Sequence, residues 1–220
     1  MINKNILIIG SSGGIGKAFI NLYKKHDINN KIVGLSRLDK EDQEFLDAHF
    51  YIDLEDEQSI ENAANEAKTY GPYQLIIVAT GALHGDDFFP EKSYKQISAK
   101  NLKKVFNINT IGPALVGKCF IPLLDNQNPS VLSFLSARVG SISDNKLGGW
   151  HAYRASKAAL NMLIKNFSIE LNRTNKLAKV IGLHPGTVDT RLSKPFQRNV
   201  PENKLLTPEF AAISMASVIS

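Results

Sequence analysis

Tyr153-Arg154-Ala155-Ser156-Lys157 sets a phenol and an ammonium four residues apart where a helix-period segment begins, and residues so spaced share one helix face. A phenol with its ordinary pKa of about 10 is a poor proton donor or acceptor at neutral pH. A neighbouring ammonium favours the phenolate, so the pair could exchange a proton with a reacting oxygen. A second candidate follows the first apolar run, where Gly10-Ser11-Ser12-Gly13-Gly14-Ile15-Gly16 leads from strand-like residues into a helix. Backbone N–H groups and the positive end of a helix dipole would meet a phosphate there, and glycine lets a ligand approach the backbone. The spacing Gly10-x-x-x-Gly14-x-Gly16 is neither G-x-G-x-x-G nor the P-loop, which needs Gly-Lys-Ser/Thr. Ser12 and Ile15 belong to the same candidate loop. Further on, Ile32-Val33-Gly34-Leu35 ends in Ser36-Arg37, with Asp39 beyond. An acidic residue at that place would take the ribose hydroxyls of NAD, whereas a hydroxyl and a guanidinium suit the 2′-phosphate of NADP. NADP(H) is therefore favoured over NAD(H).

Positioning these residues requires strands and helices in alternation. Apolar, β-rich runs occupy Asn5–Ile9, Lys31–Ser36, Phe50–Leu54, Gln74–Ala79, Ser130–Leu135 and Lys179–Leu183. Helix-period segments fill Ile15–Lys25, Glu57–Tyr70, Ile97–Leu124, Tyr153–Leu171 and Pro208–Ile219. The strands show no clear alternation, which suits burial on both faces of a parallel sheet. The expected fold is a doubly wound, mostly parallel α/β sheet in a single domain over residues 1–220, with six strands visible. Gly81–Ser93 and Thr190–Thr207 are long, irregular and rich in Gly, Pro and charge, and loops of that kind serve as substrate segments or lids.

The rest of the sequence excludes several classes. The longest apolar runs are strand-sized, too short for a membrane helix, and the amino terminus has too small an apolar core for a secretory signal. The only cysteine, Cys119, rules out an internal disulfide framework and reads as a small hydrophobe on a helix. The cytoplasm is the expected compartment. His84, His151 and His184 lack metal-ligand spacing, so no metal site is expected. Trp150 reads equally as an apolar wall, an interface residue or a substrate contact. A net charge of +5 is spread among scattered lysines without interleaved aromatics, which argues against nucleic acid and for a phosphorylated cofactor.

Taken in order, these motifs resemble the short-chain dehydrogenase/reductase family, and most of all its C-factor-like group, across essentially the whole chain. The resemblance rests on Gly10, Gly14 and Gly16; on Asp53 in Tyr-Ile-Asp-Leu; on Asn109 in Asn-Ile-Asn-Thr; on Ser136 in Phe-Leu-Ser-Ala-Arg; on Tyr153 and Lys157; and on Pro185-Gly186-Thr187-Val188-Asp189-Thr190. It implies a Rossmann fold and hydride transfer between nicotinamide and a carbonyl or alcohol. In that scheme Tyr153 protonates the oxygen, while Lys157 lowers the tyrosine pKa and holds the nicotinamide ribose. Ser136 hydrogen-bonds the substrate oxygen, and Asn109 holds a helix kink and a proton-relaying water. Asp53 and Leu54 flank adenine, Ala79 and Gly81 border the ribose, and Pro185, Gly186, Val188 and Thr190 hold the carboxamide end. A homo-oligomer, dimer or tetramer, is implied as well.

The chain departs from the family pattern at named places. Ile9 replaces a threonine, and the fourth-strand motif reads Val78-Ala79-Thr80-Gly81 without its asparagines. The interval from Ser136 to Tyr153 is long, which makes Ser133 the alternative serine, and no seventh strand is visible. An NADP(H)-dependent oxidoreductase is the leading reading. A dinucleotide-binding regulatory protein is the alternative, and sugar-nucleotide epimerase or dehydratase chemistry is disfavoured because no residues remain for a larger substrate domain.

Overall fold

Ile6-Leu7-Ile8-Ile9 has no polar position on either face, and every one of these side chains is fully buried. A strand with that pattern belongs in the interior of a parallel sheet. The computed structural model describes residues 4–38 and 45–219; Asp39 lies outside the described residues. The strands are β1 (Asn5–Ile9), β2 (Lys31–Ser36), β3 (Ala48–Tyr51), β4 (Leu75–Val78), β5 (Ser130–Leu135), β6 (Ala178–Leu183), β7 (Thr187–Val188) and β8 (Leu205–Leu206). The helices are α1 (Gly14–His26), α2 (Glu57–Ala67), α3 (Ala99–Phe106), α4 (Gly112–Phe120), α5 (His151–Thr174) and α6 (Pro208–Ile219).

The first six strands form one sheet in the order β3-β2-β1-β4-β5-β6, parallel throughout. Side chains alternate between the two faces, so each strand feeds two cores. Leu7, Ile9, Ile76 and Val78 pack in one cluster with Ile60 of α2, Phe120 of α4 and Ile164 of α5. Ile6, Ile8 and Ile77 pack in the other with Phe19 of α1 and Met215 of α6. This is the expected doubly wound α/β fold. The strand order reverses between β1 and β4, and at such a switch point an open α/β sheet leaves a crevice at its carboxyl edge.

Three expectations need correcting. The third strand lies earlier than expected, because Ile52 and Leu54 are buried in the turn that leads to α2 rather than in the sheet. The helix expected from Ile97 to Leu124, with a kink held by Asn109 and an irregularity at Gly112-Pro113, is divided into α3, a π-helical turn at Asn107–Ile111, α4 and a 3₁₀ turn at Ile121–Leu123. Pro113 has no amide to close on the Asn109 carbonyl, and the Gly112 N–H reaches back to Asn107 O, which widens the turn. The loop at 190–207 is tied at its base, since β7 and β8 pair in parallel with Thr187 opposite Leu205 and Val188 opposite Leu206. Among the described residues the main sheet has no strand beyond β6.

Candidate active site

The glycine loop leaves β1 at its carboxyl end. Gly10 has φ +88°, a left-handed conformation, and its N–H donates to Leu35 O at 2.7 Å. A Cβ on Gly16 would stand 2.2 Å from Gly10 O, so only glycine allows α1 to start this close to the turn. Gly13, the residue preceding α1, offers no side chain to its first-turn amides. Those amides and the helix dipole form an anion-receptive end. Ser12 and Ile15 are half-buried beside them, and Ile15 packs on the core under α1. Thr190 reaches over from the far side: its Cγ2 is 3.0 Å from where a Cβ on Gly14 would be.

The turn after β4 is the next layer. The Ala79 N–H donates to Ile9 O at 2.7 Å, holding this turn against the glycine loop. Thr80 Oγ1 is buried there without a hydrogen-bond partner among the described residues. The missing asparagines of this turn are replaced from another element. The Ala82 N–H donates to Asn109 Oδ1 at 2.8 Å, and Asn109 Nδ2 donates to Ala82 O at 2.8 Å and to Ser156 Oγ at 3.2 Å. Asn109 lies in the π-turn and is 1% exposed, so the widened turn aims its amide inward. A Cβ on Gly81 would stand 3.4 Å from Lys157 Nζ and 3.5 Å from Asn109 Oδ1.

Tyr153 and Lys157 sit in the first turns of α5 and share its inward face. Lys157 Nζ donates to Leu135 O at 2.8 Å and lies 6.0 Å from the centroid of the Tyr153 ring. Burial brings the ammonium down to about 8. It pushes the Tyr153 phenol up to about 12, the direction opposite to the one expected from Lys157. The Tyr153 hydroxyl has no hydrogen-bond partner among the described residues.

Ser136 departs from its expected place. Its hydroxyl donates to Asn161 Oδ1 at 2.5 Å. Asn161 lies two turns, about 12 Å, along α5 from Tyr153. The reason is the period of the strand: Phe134, two residues earlier, stacks on Phe167 of α5, so Ser136 faces the same helix. The next residue is extended Ala137, which offers no polar side-chain atom. Ser133, the alternative serine, is fully buried with its hydroxyl donating to Ile76 O.

The remaining candidates fall around the rim of the crevice. Ser36 is buried, its Oγ accepting the Leu38 N–H and lying 3.0 Å from His49 Nε2, while Arg37 is exposed. Asp53 Oδ1 accepts the Glu55 N–H, and Leu54 O packs against Gly112. Pro185 and Gly186, the latter at φ +77°, carry the chain from β6 into β7, where Val188 is buried. Cys119 is half-buried against the core, and burial raises its thiol.

Two supporting residues carry little sequence signal. His184 Nδ1 accepts the Arg138 N–H at 3.2 Å, bracing the segment after β5. Glu91, 2% exposed, accepts the Ala152 N–H through Oε2 at 3.1 Å and the Trp150 N–H through its backbone carbonyl at 2.5 Å. Its position could have been suspected only from a carboxylate in an otherwise irregular segment.

Among the described residues no helix is long and apolar enough to cross a membrane, and no group of three His, Cys, Asp or Glu could hold a metal ion. Comparison with known proteins adds a family. The sequence model of the short chain dehydrogenases matches residues 4–201. A 1-hydroxy-2-glutathionyl-2-methyl-3-butene dehydrogenase of Rhodococcus sp. (strain AD45) is 40% identical over 114 residues, 52% of this chain and 47% of that protein. The C-signal of Myxococcus xanthus is 37% identical over 95 residues, 43% of this chain and 56% of that protein. The matched segments thus span about half of each of these relatives. An NADPH-bound carbonyl reductase from chicken fatty liver has the same fold, with a TM-score of 0.83 at 22% identity over 100% of this chain and 87% of that one. With nearly its whole length matched, the chain belongs to the short-chain dehydrogenase family.

Proposed function

We propose that the chain is an NADP(H)-dependent oxidoreductase interconverting a carbonyl and an alcohol, with Tyr153 as general acid and base. One observation carries this reading: the Tyr153 ring, Lys157 Nζ and the Asn109-held Gly81 turn converge at the carboxyl edge of the sheet. The residues fit a dinucleotide. The first-turn amides of α1 are uncapped, Gly10 and Gly16 leave no Cβ in the cradle, and the buried Thr80 hydroxyl stands unpartnered beside it. Arg37, exposed at the end of β2, suits a 2′-phosphate, and the chicken carbonyl reductase of the same fold is NADPH-bound.

A bound nicotinamide would supply or accept the hydride at the carbonyl carbon. Tyr153 Oη gives its proton to the carbonyl oxygen as that oxygen takes up the bonding pair. Carbonyl, reduced dinucleotide and one proton thus become alcohol and oxidised dinucleotide. Lys157, at about 8, is still an ammonium at neutral pH. It orients ribose hydroxyls and draws the phenol toward phenolate as the proton leaves. Asn109 fixes the Gly81 turn, and Thr190, over Gly14, orients the carboxamide. Asp53 and Leu54 border the adenosine end.

The test offers NADPH and NADH to the purified protein with a panel of aldehydes, ketones and quinones. Tyr153→Phe should lose at least a hundredfold in kcat/KM while still binding dinucleotide, and NADPH should support faster turnover than NADH. A variant as active as the wild type would remove Tyr153 from the chemistry. The second reading, a dinucleotide-binding regulatory protein, is favoured by the commitment of the Ser136 hydroxyl to Asn161 and by the similarity to C-signal. Tight NADPH binding without turnover of any carbonyl would establish it instead.

A further inference from the structure

Beside Tyr153 lies a chain of aromatic rings that the catalytic reading leaves unused. The Trp150 indole stands edge-on to the Tyr153 ring at 6.2 Å and to Phe196 at 5.2 Å. Phe196 continues to His84 at 5.7 Å and to Phe89 at 6.4 Å, and His84 stacks on Phe89 at 5.6 Å. The rings come from three separate segments: the loop after β4, the residue before α5, and the flap between β7 and β8. His84 Nε2 also meets Arg191 O at 3.3 Å, which joins the first of these loops to the flap.

We propose that the substrate carries its carbonyl on a planar aromatic group, received in the cleft formed by Trp150, Phe196, His84 and Phe89. The inference rests on the oxidoreductase reading and deepens it. A cluster made only for packing would be closed to water, yet Phe89 is 59% exposed and the other three rings are only partly buried. Partly open rings in edge-to-face array leave ring edges and faces for another π-system, which gains more there than an aliphatic group of equal area.

The backbone of Trp150 points the same way. It holds φ 51° and ψ 42°, a left-handed conformation strained for a residue with a bulky side chain, after Gly148 and Gly149 in the same region. The Glu91 carbonyl accepts the Trp150 N–H, and the Glu91 carboxylate takes the Ala152 N–H. Strain and the Glu91 carbonyl are thus both committed to fixing one indole against the Tyr153 ring. A surface tryptophan with no ligand to meet would need neither.

Trp150 is the only tryptophan in the chain, so its fluorescence reports the cleft without any turnover. The probes are acetophenone and cyclohexyl methyl ketone, alike in size but not in aromaticity. Quenching is corrected for absorption against N-acetyltryptophanamide, and turnover is followed with NADPH. Acetophenone should quench Trp150 and be reduced with kcat/KM at least tenfold above its saturated partner. In Trp150→Leu and Phe196→Leu that ratio should fall toward one, through KM, with NADPH binding retained. Phe196 lies outside the strained backbone, so its variant serves if Trp150→Leu fails to fold. A ratio near one in the wild type, or an unchanged ratio in a folded variant, overturns the cleft and leaves the oxidoreductase standing. Quenching by acetophenone with turnover of neither ketone overturns an aryl ketone as substrate, and turnover of another carbonyl of the panel then leaves the oxidoreductase standing. Absence of both quenching and aromatic preference overturns the proposal.

Discussion

Lys157 and Tyr153 are both pushed toward their uncharged forms by burial, and the two shifts act on stability with opposite signs. The lysine releases its proton at about 8 in the folded chain but near 10.5 in the unfolded one. Between these values the unfolded chain binds more protons, so its contribution to stability rises with pH. The phenol keeps its proton to about 12 when folded and loses it near 10 when unfolded, so stability falls as pH rises through that window. Urea denaturation between pH 7 and 10 should therefore show an increase that Lys157→Met flattens, the variant being relatively more stable at pH 7. An equal slope in the variant would assign the increase to other groups. Legibility at this scale was uneven. The four-residue spacing of Tyr153 and Lys157 fixed their common face, but a spacing says nothing of depth, and depth reversed the direction of the tyrosine shift. The place of Ser136 is legible in its period, since two residues along a strand Phe134 and Ser136 share a face.

Helix α5 begins without a capping side chain of its own, because Trp150 stands at the capping position in a left-handed conformation. Glu91 caps it from another segment, with Oε2 on the Ala152 N–H and Oε1 buried without a partner among the described residues. Glu91→Ala should cost about 1–3 kcal/mol in urea denaturation, combining a lost cap with an unsatisfied buried amide. Glu91→Gln keeps an acceptor for that amide and should recover most of the loss, restoring Trp150 emission with it. A glutamine variant as unstable as the alanine variant would show that charge at the helix dipole, rather than the hydrogen bond, is what Glu91 supplies. Elements with strong apolar runs, such as β1, β2 and β5, have the bounds their sequences suggest. Element ends decided by long-range bonds do not. Ile52 and Leu54 read as strand because they are apolar, yet they are buried in a turn. The segment 97–124 reads as one helix because its period is continuous, and only the missing amide of Pro113 marks the π-turn that aims Asn109.

Across the whole molecule, the candidate site draws on residues as far apart in sequence as Gly10 and Thr190, and it exists because the strand order reverses between β1 and β4. Alternating strands and helices made the layers legible, whereas the pairing of β7 with β8 was not: two residues have no period. That pairing makes the segment between them a flap anchored at both ends, with Thr190 over Gly14 and Phe196 against Trp150. A dinucleotide held on the glycine loop would lie under the flap's first residues, so binding should order it as well as fill the crevice. Arg191, Arg198 and Lys204 are exposed and give trypsin places to cut. Saturating NADPH should slow cleavage at these residues severalfold, because proteolysis of a loop follows the population of its open form. Cleavage at Lys25, at the far end of α1, should change much less. Equal protection at both places would mean that the dinucleotide stabilises the fold as a whole, and unchanged flap cleavage with NADPH bound would mean that the flap closes on something other than the cofactor.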